Sequence, residues 1–198
     1  MKPSTLTPEP PLVAVLAAGD ARRFGGGKLD AACAGQPLGR WALAAVAAAG
    51  LPPGVIVVGA DGARFAEDSG WDLLVNPLAG QGIGTSLALA ARTALEREAR
   101  ALLVLLADMP LADPAFLSDL ASATPPAASR YPDGDPGVPA LFGQAQLSAL
   151  AQLYGDHGAA GLLTLLDGLT TLSPPGGMLR DVDRPEDLAA VEIQLSAR

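Results

Sequence analysis

LVAVLAAGDARRFGGGKL, residues 12–29, is the stretch on which the reading of this chain turns. Its first six residues are uninterrupted apolar side chains. That pattern belongs to a strand buried on both faces, whereas a half-exposed strand alternates. The loop that follows carries four glycines and three cations, Arg22, Arg23 and Lys28, in a chain of formal charge −8. Glycines let backbone amides approach an anion closely, and the cations add charge that the chain otherwise lacks. A flexible, solvated surface loop has the same composition, so composition alone does not separate the two. Its place directly after a buried strand favours a functional loop.

Two phosphate loops are excluded by position. A Walker loop ending on Gly27-Lys28 would have Arg22 in place of its first glycine and Leu29 in place of its Ser/Thr. The dinucleotide pattern G-x-G-x-x-G fails because residues 19, 21 and 24 are Gly, Ala and Phe.

Outward from this stretch, further apolar runs predict strands at 54–60, 72–76 and 101–107. Helical spacing predicts helices at 37–49, stopped by Gly50, and at 82–100, with Glu96 and Arg100 as an i,i+4 pair. Asp113-Pro114 opens another helix. Residues 123–143 crowd five prolines around two short extended pieces. Helices follow at 144–154 and 158–167, then a strand at 178–182 and a final helix capped by Asp183 or Arg184. Buried strands alternating with helices predict an α/β fold, three-layer and doubly wound, with a mostly parallel sheet of Rossmann-like type. Ligands bind such sheets in the crevice beyond the carboxyl ends of the strands. The opening loop, NPLAGQG (76–82) and ADMP (107–110) all fall at such ends. Residues 1–11 read as a flexible Pro-rich tail, and 12–198 as one domain.

The balance of charge argues against nucleic acid or an anionic membrane as partner. Aromatics are only 4% of residues, so the core must be built mostly from Ala, Leu and Val. One cysteine (Cys33) and one histidine (His157) exclude a disulfide framework and a Cys/His zinc site, which reads as a cytoplasmic protein. Met1-Lys2 before the first apolar run loosely mimics a signal peptide. Pro3, Pro8, Pro10 and Pro11 ahead of it, and Arg22-Arg23 behind it, favour a buried strand. His157 reads as a surface-loop residue, Cys33 as a small core or loop residue, and Trp41 and Trp71 as packing. No G-x-S-x-G elbow supports a serine hydrolase.

Asp108 and Asp183 are the candidate metal carboxylates, since hard oxygens suit Mg²⁺. Each has a structural alternative. Asp108 could serve a turn, and Asp183 could cap the last helix with Glu186 completing a capping box. Asp181, in the expected last strand, is a weaker candidate.

LAAG followed by R-F-G and K, over residues 16–28, resembles the signature of the MobA-like NTP transferase family. The molybdenum-cofactor cytidylyl- and guanylyltransferases are the most similar branch. GQP (35–37), NPLAGQGIGTSL (76–87), LLADMPL (105–111), GVPALF (137–142), GDHGA (155–159) and DVDRPEDL (181–188) fall in the family's order. The resemblance implies a nucleotidyltransferase with Mg²⁺ as cofactor. It places Leu16, Ala17, Ala18, Gly19, Asn76, Gly80 and Ser86 around the nucleotide. Arg23 and Lys28 would hold the phosphates and act in catalysis with Asp108, and the metal would sit on Asp108 and Asp183. Arg22 falls at a variable position. CTP is favoured over GTP, because LAAG is closer to the cytidylyl branch than LAGG. The implied acceptor is molybdopterin, with contact to a molybdoenzyme or its chaperone.

In the implied reaction a phosphate oxygen of the acceptor attacks the α-phosphorus and pyrophosphate leaves. A phosphomonoester with a second pKa of about 6 is already a dianion at neutral pH, so no general base is needed. The chain departs from the pattern at Ala21, usually small and polar, at Gln36, usually Lys or Arg, and at Val138, usually His in the cytidylyl branch. Three readings stay open. They are transfer to molybdopterin, the same chemistry on a sugar phosphate or other phosphorylated acceptor, and a silent nucleotide- or cofactor-binding module.

Overall fold

A computed structural model describes residues 9–19, 21 and 23–196. Most of the expected tail, and Arg22 in the opening loop, lie outside the described residues. The opening apolar run forms β1 (Leu12–Ala17), in the interior of a seven-stranded sheet. To one side of it lie β4 (Val55–Val58) and β5 (Asp72–Val75). To the other lies β6 (Ala101–Leu106). All three pairings, β1 with β4, β1 with β6 and β4 with β5, are parallel. Both faces of these strands are covered. Val13, Val15 and Ala17 enter the apolar cluster on one face, Ala14 and Leu16 the cluster on the other. This two-sided burial is why β1 shows no polar alternation.

The helices divide between the faces. α1 (Leu38–Ala48) packs with α3 (Pro114–Ser122) on one side, and α2 (Ile83–Glu96) with α4 (Gln144–Leu150) on the other, where α5 (Ala159–Leu163) lies against the sheet. Asp113 caps α3 as expected, its Oδ1 accepting the Phe116 N–H at 2.9 Å. A short hairpin, β2 (Ala32–Cys33) and β3 (Gln36–Pro37), precedes α1. Most large, fully buried side chains are aliphatic, joined by Phe65 and Phe142.

The two extended pieces among the prolines become β7 (Ala127–Arg130) and β8 (Pro136–Gly143), and β8 runs antiparallel to β6 and β7. The pairing shifts register between Ala128 and Ser129. There the Ser129 hydroxyl donates to the Pro139 carbonyl at 2.8 Å.

Three local expectations are corrected. The strand expected at 178–182 is a turn and an extended segment, and the outer strand is β9 (Thr170–Leu172), parallel to β7. α2 ends at Glu96 because Glu98 turns into left-handed backbone (φ 55°) and the Ala99 amide closes on the Ala94 carbonyl. Glu96 and Arg100 therefore never share a helix face, and it is Arg97 that pairs, with Asp72 at 2.9 Å. The helices expected at 144–154 and 158–167 are shorter, ending at Leu150 and Leu163.

Candidate active site

The chain leaves β1 toward β4 and β5 on one side, and β6 lies on the other. The two neighbouring carboxyl ends open a crevice at this change of direction. The Leu16 carbonyl there accepts the Ala107 N–H at 3.0 Å, and the next residue after Ala107 is Asp108. The Asp108 carbonyl in turn accepts the Val182 N–H at 3.0 Å, while Val182 is fully buried beside Leu38, Leu111 and Val191. Two carboxylates far apart in sequence are thus brought together by one backbone bond and one buried valine.

Asp183 is free to face the crevice because another residue caps the last helix, α6 (Pro185–Ser196). Asp187 Oδ2 accepts the N–H of Asp183 at 3.1 Å and of Arg184 at 2.9 Å. These two bonds hold the Asp187 carboxyl below the usual carboxylate range. The reach-back role expected of Glu186 therefore belongs to Asp187, and Arg184, the other residue expected at the cap, directly precedes the helix.

Four charged side chains meet in the crevice. Lys28 Nζ lies 2.7 Å from Asp108 Oδ2 and 3.7 Å from Asp183 Oδ1, and Arg23 donates to Asp183 Oδ2 at 2.9 Å. The Lys28 side chain is only 11% exposed, whereas that of Arg23 is 72% exposed, so the first pair is the better shielded from solvent. Asp108 Oδ1 is buried without a hydrogen-bond partner. Asp181 is close enough for Asp108 and Asp183 to add to the burial that pushes its carboxyl up.

Three of the four glycines, Gly25, Gly26 and Gly27, shape the opening loop itself. The amides of Phe24, Gly25 and Gly26 all turn to the Ala21 carbonyl, at 3.0–3.1 Å, rather than outward to an anion. Gly25, Gly26 and Gly27 have φ of 90°, 97° and 61°. Their role is the left-handed turn that delivers Lys28.

The crevice encloses about 590 Å³. Of the residues expected at the nucleotide or the metal, Leu16, Ala17, Ala18, Gly19, Arg23, Lys28, Gly80, Ser86, Asp108 and Asp183 line it. Asn76 does not. It is buried, its Nδ2 donating to Thr85 Oγ1 and Ser86 Oγ at 2.9 Å each and its Oδ1 accepting the Leu78 N–H at 3.0 Å. It ties the 76–82 loop to the first turn of α2.

Asp156 also lines the crevice, a residue that sequence reasoning missed. Its only sequence signal was its place in GDHGA, where attention falls on the histidine. His157 instead lies outside, exposed and tilted against Tyr154. The Asp156 loop is held to α2 by the Gly84 N–H, which donates to the Gly155 carbonyl at 2.9 Å. A side chain at Gly84 would meet three backbone carbonyls of that loop within 2.9 Å.

The described lining carries three carboxylates, Asp108, Asp156 and Asp183, against two cations, Arg23 and Lys28. Such a crevice does not attract a polyphosphate unaided. The buried, partnerless Asp108 Oδ1 and the nearby Asp183 fit a divalent cation, and Mg²⁺ commonly takes one or two carboxylates and completes its shell with phosphate and water. No cluster of three or more His, Cys, Asp or Glu side chains suited to a metal occurs among the described residues.

A second chamber of about 370 Å³ opens from the crevice and shares Leu16, Ile83 and Leu106 with it. Leu87, Val104 and Val138 make it apolar, Asp133 and Asp135 stand in its lining, and no Lys or Arg lines it among the described residues. The Tyr131 hydroxyl donates to the Val138 carbonyl at 2.9 Å, and burial with the nearby acids pushes this phenol up to about 12. Of the three departures from the family pattern, Ala21 lines the crevice, Val138 the chamber, and Gln36 neither. Cys33 is buried, which raises its thiol, and Trp41 donates to its carbonyl at 2.9 Å. No helix among the described residues is long and apolar enough to cross a membrane.

No functionally curated protein matches the sequence significantly. Among solved structures, Rv0371c from Mycobacterium tuberculosis H37Rv is 26% identical, with a TM-score of 0.78 over 96% of this chain and 100% of that one. The same mycobacterial protein in complex with manganese gives 24% identity and a TM-score of 0.67, over 92% and 98% of the two chains. Molybdopterin-guanine dinucleotide biosynthesis protein A from Archaeoglobus fulgidus is 19% identical, with a TM-score of 0.69 over 94% and 99%. The last two likenesses speak for the fold. The sequence profile of the MobA-like NTP transferase domain matches residues 13–170, most of the chain and every strand of the crevice. The chain therefore belongs to the MobA-like NTP transferase family and is a nucleotidyltransferase.

Proposed function

We propose that residues 12–198 act as one unit that transfers the nucleotidyl group of CTP, with a divalent cation, to the phosphate of molybdopterin. The observation that carries this reading is the meeting of Arg23, Lys28, Asp108 and Asp183 beyond the ends of β1 and β6. Asp108 and Asp183 would hold Mg²⁺, and the manganese complex of Rv0371c supports a divalent cation on this fold. When bound, the cation neutralises phosphate oxygens and so lets two anions meet. Lys28 and Arg23 bind the phosphates, while Leu16–Gly19, Gly80 and Ser86 enclose the nucleoside, with Asn76 fixing Ser86 from behind. LAAG, rather than LAGG, supports CTP over GTP.

An acceptor phosphate oxygen forms the new bond to the α-phosphorus as the bond from that phosphorus to the β-phosphate bridging oxygen breaks, releasing pyrophosphate. The dianionic nucleophile brings no proton to remove. That agrees with a site beside which Tyr131, in the second chamber, holds its proton up to about pH 12, and whose described lining contains no histidine. The task left to the protein is charge neutralisation and in-line placement.

The second chamber supports molybdopterin over a sugar phosphate. Its largely apolar walls suit a flat heterocycle better than a polyol, most of whose hydroxyls would find no partner there beyond Asp133 and Asp135. A buried, unpaired cysteine suits a reducing cytoplasm. Handover of the product to a molybdoenzyme or its chaperone belongs to the same reading.

Pyrophosphate release tests it, measured with CTP, GTP, UTP and ATP, with Mg²⁺ or Mn²⁺, with and without molybdopterin. Release is expected with CTP and only when molybdopterin is present. Turnover confined to sugar phosphates would favour the second acceptor class. Triphosphate binding without turnover on any acceptor would favour a silent binding module.

A further inference from the structure

Lys28 occupies a singular place. Its ammonium lies between the two carboxylates assigned to the metal, 2.7 Å from one and 3.7 Å from the other, on a side chain only 11% exposed. Its backbone is anchored downstream, where Asp30 accepts the Phe65 N–H at 2.6 Å and Leu29 packs on two apolar clusters. Upstream stand the three left-handed glycines. The lysine is therefore held at its root, while its long stem leaves the ammonium free to reach either carboxylates or phosphates.

Charge decides what such a lysine does. Asp108 and Asp183 with Lys28 and Arg23 make a neutral quartet. A bare divalent cation entering between the carboxylates would face an ammonium already there, in a partly buried setting where charges a few ångströms apart interact more strongly than in bulk water. A bare triphosphate would face the crevice's carboxylates. A metal–triphosphate complex resolves both conflicts, because the phosphates take the ammonium as the metal takes the carboxylates.

We infer that Lys28 is a resident counter-cation that keeps divalent metal off Asp108 and Asp183 until a nucleoside triphosphate arrives. Metal and nucleotide then bind as one coupled unit, and by linkage each tightens the other by the same factor. This inference rests on the metal and triphosphate reading above, and adds the order of entry and the residue that imposes it. Lys28 acts here as a positioning residue for the cation, apart from its contact with phosphate.

The test is Mn²⁺ binding, read from the electron paramagnetic resonance of free Mn²⁺ with no acceptor present, with and without CTP. Wild-type protein is expected to bind Mn²⁺ weakly alone and at least about tenfold more tightly with CTP, a coupling of ordinary size. Lys28→Gln is expected to bind Mn²⁺ alone about tenfold or more tightly than wild type, with CTP then adding little. Lys28→Arg should keep the wild-type pattern. Arg23→Gln removes an equal but exposed charge and should shift Mn²⁺ affinity less than about threefold, since exposed charges are screened. Equal or weaker Mn²⁺ binding by Lys28→Gln would overturn the inference, as would an equal gain from Arg23→Gln. So would a wild type whose Mn²⁺ affinity ignores CTP, a measurement that needs no variant to fold. Asp108→Asn separates the two levels. If it leaves Mn²⁺ binding unchanged, the metal assignment itself fails. If it abolishes binding while Lys28→Gln brings no gain, only the role of Lys28 fails.

Discussion

Asn76→Ala should cost about 3 kcal/mol and weaken triphosphate binding without abolishing it. Asn76 is 3% exposed and makes three side-chain hydrogen bonds of 2.9–3.0 Å, to Thr85, Ser86 and the Leu78 amide. Each such bond nets about 1 kcal/mol, so three give about 3 kcal/mol. In a domain of this size each kcal/mol shifts Tm by about 2–4 °C, so a fall of about 6–12 °C is expected. Ser86 loses the donor that orients it and the 76–82 loop loses its tie to α2, so the affinity for CTP drops while the charged quartet stays whole. Circular dichroism melts and equilibrium binding of a fluorescent CTP analogue read both effects. Asn76→Asp adds a sign check. Burial would raise that carboxyl, so its penalty is absent in acid and grows as pH rises past the ordinary value of about 4. A Tm loss under about 2 °C would refute the energetic argument. A fully stable Asn76→Ala protein with no CTP binding would make Asn76 a ligand rather than a support.

Two further perturbations probe how the site is held. Asp187→Ala removes the acceptor of the Asp183 and Arg184 amides and should cost about 1 kcal/mol at neutral pH, or about 2–4 °C in Tm. Because the Asp187 carboxyl is held low when folded, wild type keeps this advantage above the ordinary carboxylate range and loses it as pH falls through the lowered value. Melts of both proteins between pH 2 and pH 7 should therefore converge in acid; a constant difference would refute the charged cap. Gly84→Ala presses a methyl onto three carbonyls of the Asp156 loop. It should cost about 1–3 kcal/mol and raise KM for the triphosphate more than it lowers kcat. An unchanged KM would mean that the Asp156 loop does not shape the crevice.

The central strands and main helices were legible because their information is local. A run such as LLVLL at 102–106 can satisfy itself only where both faces are covered, and the sheet covers both. The Asp113 cap was legible for the same reason, its partner being three residues away. The 178–182 segment was misread because its apolar residues, Met178 and Val182, are buried by packing against neighbours and not by pairing in the sheet. Composition does not distinguish those two ways of burying a residue. Asp156 escaped notice because nothing near it in sequence announces the contact of Gly84 with the Gly155 carbonyl.

By itself, the sequence determined the order of buried strands, the loop that delivers Lys28, and the acids at strand ends, since each follows from periodicity or turn chemistry within a few residues. Only the tertiary structure decided which of several equivalent carboxylates does what. Asp187 takes the helix cap, which leaves Asp183 to face Lys28 and Arg23, and Asn76 turns inward while Ser86 lines the crevice. The physical reason is that a carboxylate or an amide can satisfy itself with any of several partners. Which partner it meets depends on the backbone bond from Val182 to Asp108 and the burial of Val182, contacts between segments far apart in the chain.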